Sequence, residues 1–389
     1  MTRHSITNNK YLVVLGHYGH MGGAERQAFH LIYYLRHELN ANVSVLGWFQ
    51  EGPLAEPLRE LGCDIFNFPY KENSPKLSKA INLLHLAVYI RKHIRPDYIL
   101  PFVSIHSKPI CQIWRLTGAR YAWWNQQDEG RGLFGTNAER KALLNAVHIT
   151  SNSTTGTDFI SNTYGIPKEN IKTYNNGTVL PNLDKIKPIW RERLRITEKA
   201  PLVSMVANIT PYKDHDTLFK AWRIVLDNYS DHPQPVLVLA GHTNETDYVN
   251  KLKALALDLE LGSTIKFLGS IDSTDELMYE SDLIVHSSVK EGCPNSVCEA
   301  MALGKTVVAT DIPGTRQALD NSLWQDCLCE SHNEVKLASR IIYFLESNNL
   351  TSRIGALNRQ RIESEFSIDG MCEFFYSLFN NTSNKRQKY

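Results

Sequence analysis

Leu283-Ile-Val-His-Ser-Ser-Val-Lys-Glu-Gly-Cys-Pro-Asn-Ser-Val-Cys-Glu-Ala-Met-Ala-Leu-Gly-Lys-Thr-Val-Val-Ala-Thr-Asp-Ile-Pro-Gly314 contains a whole strand–loop–helix–strand unit. Leu283 to His286 is a short apolar run of strand length. A helix is predicted from near Asn295 to Leu303 with Gly304 as its C-cap, and Thr306 to Thr310 returns as a strand. Strands joined through a helix run parallel, which points to a doubly wound sheet. The helix start offers unpaired N–H groups and the positive end of a dipole, a natural seat for phosphate. Glu291 lies on the loop before it and Glu299 about one turn inside. One carboxylate can hold hydroxyls on one side of a bound phosphate, the other on the opposite side.

The same alternation runs outward in both directions. Upstream, Leu202 to Ala207, Val236 to Ala240 and Ile265 to Leu268 read as strands, with helices over 216–227 and 247–259. An independent series fills the first part of the chain. Its strands are Tyr11 to Leu15, Ala41 to Phe49, Asp64 to Phe68, Asp97 to Val103, Arg120 to Trp124 and Val147 to Thr150. Helices are predicted over 23–39, 53–62 and 77–93. Few apolar residues separate the two series. The sequence therefore predicts an α/β chain of two Rossmann-like domains: 1–180, a linker over 181–200, and 201–365. A last helix within 366–389, ending in a polar tail from Asn380, is expected to join the first domain. Ligands of such sheets bind beyond the carboxyl ends of the strands, so both domains would present loops to one cleft.

With 389 residues, 42% hydrophobic and 21% charged, the chain is neither disordered nor a disulfide scaffold. No apolar run approaches a membrane span, and the polar N-terminus is followed by a run too short for a signal-peptide core. Seven scattered cysteines without a C-x-x-C pair argue against a zinc site and fit reduced thiols. A cytoplasmic protein is expected, with no metal and no nucleic acid partner. The first 180 residues hold 19 Lys and Arg against 13 Asp and Glu, while the rest holds 23 against 28. A basic first half suits an anionic partner such as a phosphate or a lipid surface, although chance would also produce it.

Glu-x7-Glu at 291 and 299, with E-G-x-P-N-S and E-A-M-A-x-G around it, resembles the retaining glycosyltransferases of family 4, whose fold is GT-B. Three further landmarks fall in order: Gly22-Gly-Ala-Glu-Arg26, Ala207-Asn-Ile-Thr-Pro-Tyr-Lys-Asp-His-Asp-Thr-Leu218, and Lys266-Phe-Leu-Gly269. The resemblance implies a nucleoside-diphosphate-sugar donor, UDP-sugar before GDP-sugar. It also implies a glycan or lipid-linked acceptor in cell-surface polysaccharide synthesis and peripheral contact with an anionic membrane. Lys213 would meet the diphosphate beside Asn208 and Thr210, and Glu291 would hold donor-sugar hydroxyls. Glu299 would bind the ribose, and Phe267 and Leu268 would flank the base. Cys293, Pro294 and the N–H groups of Asn295, Ser296 and Val297 would line the sugar and phosphates, which Gly22 and Gly23 would let the backbone approach. Donor phosphates met by a lysine and a helix dipole need no cofactor or metal.

Two departures from the family stand out. An Arg usually precedes the Lys of the phosphate segment, but Asn208 and Thr210 occupy that region. The His usual near the donor sugar is absent from Trp123-Trp-Asn-Gln-Gln-Asp-Glu-Gly-Arg131, where Asn125, Gln127 or Asp128 would substitute. His106 and Arg131 are candidates for the acceptor side. Plainer readings compete throughout. Gly16 to Gly23 could be an ordinary tight turn, and Lys213 a solvated lysine. Glu291 and Glu299 could be surface charges, and the two Trp core aromatics. His17, His20 and His106 lack ligand spacing for a metal. The helix from Leu77 to Arg95 carries Ile81, Leu84, Val88 and Ile90 beside Lys76, Lys79, Arg91, Lys92 and Arg95. It could rest on an anionic membrane, but packing its apolar face on the sheet is favoured. Rival functions are a catalytically silent sugar-nucleotide binder and a sugar-nucleotide epimerase of the same architecture.

Overall fold

The computed structural model describes residues 9–16, 22–48, 52–70, 75–230, 233–243 and 246–385. His17 and His20 lie outside them. The chain forms two compact units, one reaching Gly177 and resuming at Ile368, the other Thr178–Ser367.

The first unit is a seven-stranded sheet in the order β3-β2-β1-β4-β5-β6-β7. Its strands are β1 (Lys10–Leu15), β2 (Asn42–Gly47), β3 (Asp64–Asn67), β4 (Tyr98–Pro101), β5 (Tyr121–Gln126), β6 (His148–Ser151) and β7 (Ile171–Thr173). Every pairing is parallel. Helices cover both faces, so β1 is buried from Tyr11 to Leu15 instead of alternating. The strand order reverses between β1 and β4, opening a crevice beyond their C-terminal ends. Trp123 and Trp124 are both core. Trp123 stacks on Phe375 and Phe379 of the Ile368–Lys385 helix, at 5.9 and 4.9 Å. Burying each such ring contributes about 2–3 kcal/mol to holding that helix on the sheet. The helix runs on to Lys385, so the polar stretch after Asn380 begins as helix and not as a frayed tail.

The helix Lys76–Tyr89, extended by a wide turn Ile90–Ile94, departs from expectation. Its inward residues are Leu83, Leu86, Ala87, Ile90 and Ile94. Ile81, Leu84 and Val88, expected against the sheet, are exposed instead.

The second unit holds six parallel strands in the order β10-β9-β8-β11-β12-β13. They are β8 (Leu202–Val206), β9 (Val236–Ala240), β10 (Ile265–Gly269), β11 (Leu283–His286), β12 (Val307–Thr310) and β13 (Leu328–Cys329). Here the order reverses between β8 and β11. Residues 181–200, expected as a linker, are seated within this unit. Trp190 is buried, and the Glu280 carboxylate accepts the Trp190 and Arg191 N–H groups that open the helix Trp190–Leu194.

Candidate functional site

Beyond β8, the chain is tied to the end of β9. Ala207 N–H donates to Ala240 O and Ile209 N–H to His242 O, each at 2.9 Å, while Asn208 Oδ1 accepts His242 N–H at 3.2 Å. The Asn208 carbonyl group, proposed from sequence for the ligand, is thus engaged in holding its own loop. Gly241 permits this approach: a Cβ there would lie 2.0 Å from Ala207 O. A tight turn over Pro211–Lys213 follows, and Asp214 adopts a left-handed conformation (φ 51°) while Oδ1 caps the helix His215–Asn228 at Thr217 N–H. Lys213 is therefore fixed by the turn that converts strand into helix.

The loop after β11 is stitched to this turn. Ser287 Oγ donates to Lys213 O at 2.8 Å, Val289 N–H donates to Tyr212 O at 2.9 Å, and the Thr310 hydroxyl holds Ser288 O. These bonds bring the Lys213 ammonium onto Glu291 Oε1, with both side chains 13% exposed. His286 Nε2 lies 3.2 Å from the same oxygen and 2.9 Å from Ser288 Oγ. An ionised carboxylate only accepts, so Nε2 carries the hydrogen. Burial alone would raise the Glu291 pKa, but the Lys213 charge and the His286 hydrogen bond outweigh it and hold the carboxyl well below its usual range. Burial pushes His286 downward, so its imidazole is neutral at pH 7. His286 and Ser288 escaped the sequence reading. The signal was a histidine ending an otherwise apolar strand.

His215 adds a second buried imidazole. It is 1% exposed with neither ring nitrogen hydrogen-bonded, and burial followed by the Lys213 charge lowers its pKa to about 3. The unfolded chain binds a proton at about 6.5 where the native state does not, so this contribution is present above that pH and lost towards about 3. Between about pH 7 and pH 5 the Glu291 carboxylate stays ionised in both states, leaving histidine to dominate there. His215→Phe is expected to flatten the fall in the urea midpoint over that window; an unchanged fall would assign the loss elsewhere.

The helix Asn295–Ala302 starts beyond Pro294, with Glu299 half-buried one turn in. Val297 N–H closes the first turn on Pro294 O at 3.1 Å, which removes it from the three donors expected for a ligand. Cys293 is buried, its sulfur 3.9 Å from that of Cys298. Thr210 Oγ1 is buried and without a hydrogen-bond partner, a polar atom at the edge of the Lys213 turn. Phe267 packs towards Phe219 and Leu268 into the cluster on the other face of the sheet, so the two side chains cannot both flank one base as expected.

The remaining candidates belong to the first unit. Gly22 caps the helix Gly23–His37 at φ −70°, and among the described residues a Cβ there would meet only the far end of Glu25. Asn125 is 2% exposed and its Oδ1 accepts from Tyr174 OH at 3.0 Å and Thr150 Oγ1 at 3.2 Å. Its side-chain oxygen is thus an internal tie. Asp128 Oδ1 accepts from Gln126 Nε2, Gly130 N–H and Arg131 N–H, shaping the turn after β5, and burial raises its pKa. Arg131 is paired with Glu129 at 3.3 Å. His106 packs on Gly16 at the strand-order reversal, where a Cβ would lie 2.6 Å from Nε2, and its Nδ1 accepts from Trp48 Nε1 at 2.7 Å. Beside it Val103, a β-branched residue at φ 70°, opens the helix Ser104–Thr117 in a strained conformation. Among the described residues no group of three or more His, Cys, Asp and Glu is placed to hold a metal ion.

Residues 186–361, which carry the Lys213–Glu291–His286 cluster, match the family described as glycosyl transferases group 1. Over this span the second unit is similar to the group 1 glycosyltransferases. Its relatives include the N,N'-diacetylbacillosaminyl-diphospho-undecaprenol alpha-1,3-N-acetylgalactosaminyltransferase of Campylobacter jejuni, 29% identical over 43% of this chain and 44% of that protein. The O-antigen chain mannosyltransferase RfbU of Salmonella typhimurium is 26% identical over 45% of each chain. The chain thus matches about half the length of these curated relatives. Among solved structures, HepE of Anabaena in complex with UDP and glucose superimposes with a TM-score of 0.80 at 19% identity, covering 96% of this chain and all of that one. Such neighbours share the GT-B fold of two Rossmann-like domains.

Proposed function

We propose that the chain is a retaining glycosyltransferase that moves a hexose-type sugar from a nucleoside-diphosphate donor to a hydroxyl of a glycan or lipid-linked acceptor in cell-surface polysaccharide synthesis. The observation that carries this reading is Lys213, Glu291 and His286 gathered at the point where the strand order of the second unit reverses. HepE, crystallised with UDP and glucose, supports a UDP-sugar as first choice. The acceptor class is supported by the undecaprenol-linked substrate in the name of the Campylobacter jejuni relative.

In the reaction the glycosidic bond to phosphate breaks and negative charge grows on the leaving diphosphate. Lys213 meets that charge, helped by the N–H groups at the start of the 295–302 helix. A cation and a helix dipole supply the compensation a metal would otherwise give, so the reading is metal-independent. Glu291, kept ionised, accepts hydrogen bonds from sugar hydroxyls and faces the developing oxocarbenium. His286 holds Glu291 by its Nε2–H, and Glu299 accepts from the ribose. Retention follows when the departing phosphate deprotonates the acceptor on the same face of the sugar.

Calorimetric titration with UDP, GDP, ADP and NAD tests the donor. UDP is expected to bind tightest, and Glu299→Ala to weaken it by about tenfold, the loss of one or two charge-assisted hydrogen bonds. Nucleotide binding without turnover of any UDP-sugar would favour the silent binder, and a preference for NAD would overturn the reading.

A further inference from the structure

Cys293 and Cys298 hold their sulfurs 3.9 Å apart, both as free thiols. Three other buried thiols are already committed to main-chain carbonyls: Cys111 to Trp123 O at 3.3 Å, Cys329 to Ala309 O at 3.7 Å and Cys372 to His30 O at 3.9 Å. A disulfide needs its sulfurs about 2.0 Å apart, so closing the pair takes an approach of about 1.9 Å. The two residues bracket the start of the Asn295–Ala302 helix, and Cys293 stands two positions after Glu291. Cys298 lies inside the helix, wholly buried, with its N–H on Pro294 O at 3.3 Å. Cys293 lies on the loop and is 8% exposed, so it is the partner that moves. That loop has little slack. Val289 N–H is held by Tyr212 O at 2.9 Å, and Gly314 packs so closely that a Cβ on it would lie 2.3 Å from Gly292 O. A pull on Cys293 is therefore passed to Glu291.

We propose that Cys293 and Cys298 form a peroxide-sensitive pair, which closes to a disulfide and stops turnover by drawing Glu291 off Lys213 and His286. Cys293 reacts first. It is the partner that reaches solvent, while the hydrogen bond to Cys293 and burial push the Cys298 pKa up and keep that sulfur a thiol. The Cys293 sulfur attacks one oxygen of hydrogen peroxide, the O–O bond breaks, the other oxygen leaves as water, and Cys293 becomes a sulfenic acid. Cys298 then attacks that sulfur. The S–O bond breaks and the hydroxyl leaves with the Cys298 proton as a second water. Two thiols are oxidised by two electrons as one peroxide is reduced to two waters, and a dithiol reductant reverses the bond by exchange. Formation of the bond depends on the two sulfurs alone, whereas the loss of turnover rests on the proposed transfer reaction.

The test is treatment of the full chain with hydrogen peroxide, read by peptide mass and by turnover of a UDP-sugar. Trypsin cuts after Lys290 and Lys305, so both sulfurs fall in the peptide Glu291–Lys305. After peroxide that peptide is expected to be lighter by two hydrogens and closed to a thiol-blocking reagent, and dithiothreitol should restore both thiols. Turnover should fall by at least about tenfold as the bond closes and return with reduction, the cost of moving a reacting group by about 1 Å or more. Cys298→Ala should turn over normally when reduced and keep its turnover after the same treatment, because no bond can pull the loop. Its melting curve checks that the core accepts the smaller side chain, and the wild-type peptide tests the bond without any variant. Both thiols surviving in wild type while turnover falls would overturn the proposal. So would a closed bond with unchanged turnover, or an equal loss in Cys298→Ala. Reduced protein that turned over no UDP-sugar would instead overturn the transfer reading, with the bond still scored by mass.

Discussion

Lys213→Ala is expected to lower kcat/KM for the nucleotide-sugar donor by about 10²–10³-fold, the usual cost of removing one preorganised electrostatic group from a site of developing charge. The size of the effect follows from what Lys213 does twice. In the free protein its ammonium holds the Glu291 carboxylate ionised against burial. With donor bound it turns to the diphosphate, where the charge increases as the bond to the sugar breaks. Without Lys213, burial raises the Glu291 pKa with only His286 opposing it, so the acid limb of the rate profile should move to higher pH. Stability should fall as well, because a mostly buried carboxylate loses its counter-charge; small remaining exposure and the His286 contact keep this below the roughly 3–5 kcal/mol of a fully buried broken pair. Lys213→Ala combined with Glu291→Gln separates the two roles: melting should recover while turnover stays lost. Wild-type turnover in the single variant would remove Lys213 from the mechanism.

Much of the fold was legible because parallel strands buried on both faces spell themselves as short apolar runs. Tyr11 to Leu15, Val236 to Ala240 and Leu283 to His286 stand in the structure almost as read. The edge strands β7 and β13 were not legible. Ile171–Thr173 and Leu328–Cys329 are two or three residues long, and each pairs on one side only, so neither needs an apolar run. The Lys76–Tyr89 helix misled for a different reason. It is apolar on two faces, and hydrophobic spacing alone does not say which one meets the sheet.

The site divides along the same line. Lys213 was readable through the resemblance of its segment and Glu291 through its place before a helix start, and the structure brings them together across 78 positions. The internal bonds of Asn125 were not legible, because the groups that claim its oxygen, Tyr174 and Thr150, lie 49 and 25 positions away. His286 was missed for the converse reason: its partners Glu291 and Ser288 are close in sequence, but a histidine within Val-His-Ser carries no spacing that marks a carboxylate neighbour.

Gly314→Ala should damage the site from outside it. In a helix such as Pro313–Ala318 the change would ordinarily stabilise by up to about 1 kcal/mol through propensity. Here the added Cβ would lie 2.3 Å from Gly292 O, 3.0 Å from Glu291 O and 3.1 Å from Glu291 Cβ, contacts with main chain and a Cβ that no rotamer change relieves. One side must move. The helix start is held by Pro313 and by Thr315 Oγ1, which donates to Thr310 O at 2.6 Å, itself part of β12. The Glu291–Gly292 loop is therefore the side that yields, and Glu291 is carried off Lys213 and His286. A cost of about 1–3 kcal/mol, opposite in sign to propensity, is expected in urea unfolding. Turnover should fall by about 10–100-fold, since a shift near 1 Å in a reacting group costs that much or more. UDP affinity should change less, because Glu299 and the 295–302 helix remain in place. Gly262→Ala is the matched comparison: its φ of 49° brings backbone strain, but open space surrounds the new methyl. That variant should lose about 1 kcal/mol and no turnover. If Gly314→Ala instead kept full turnover while losing stability, the loop would have absorbed the methyl without moving the carboxylate, and the position of Glu291 would not depend on this packing.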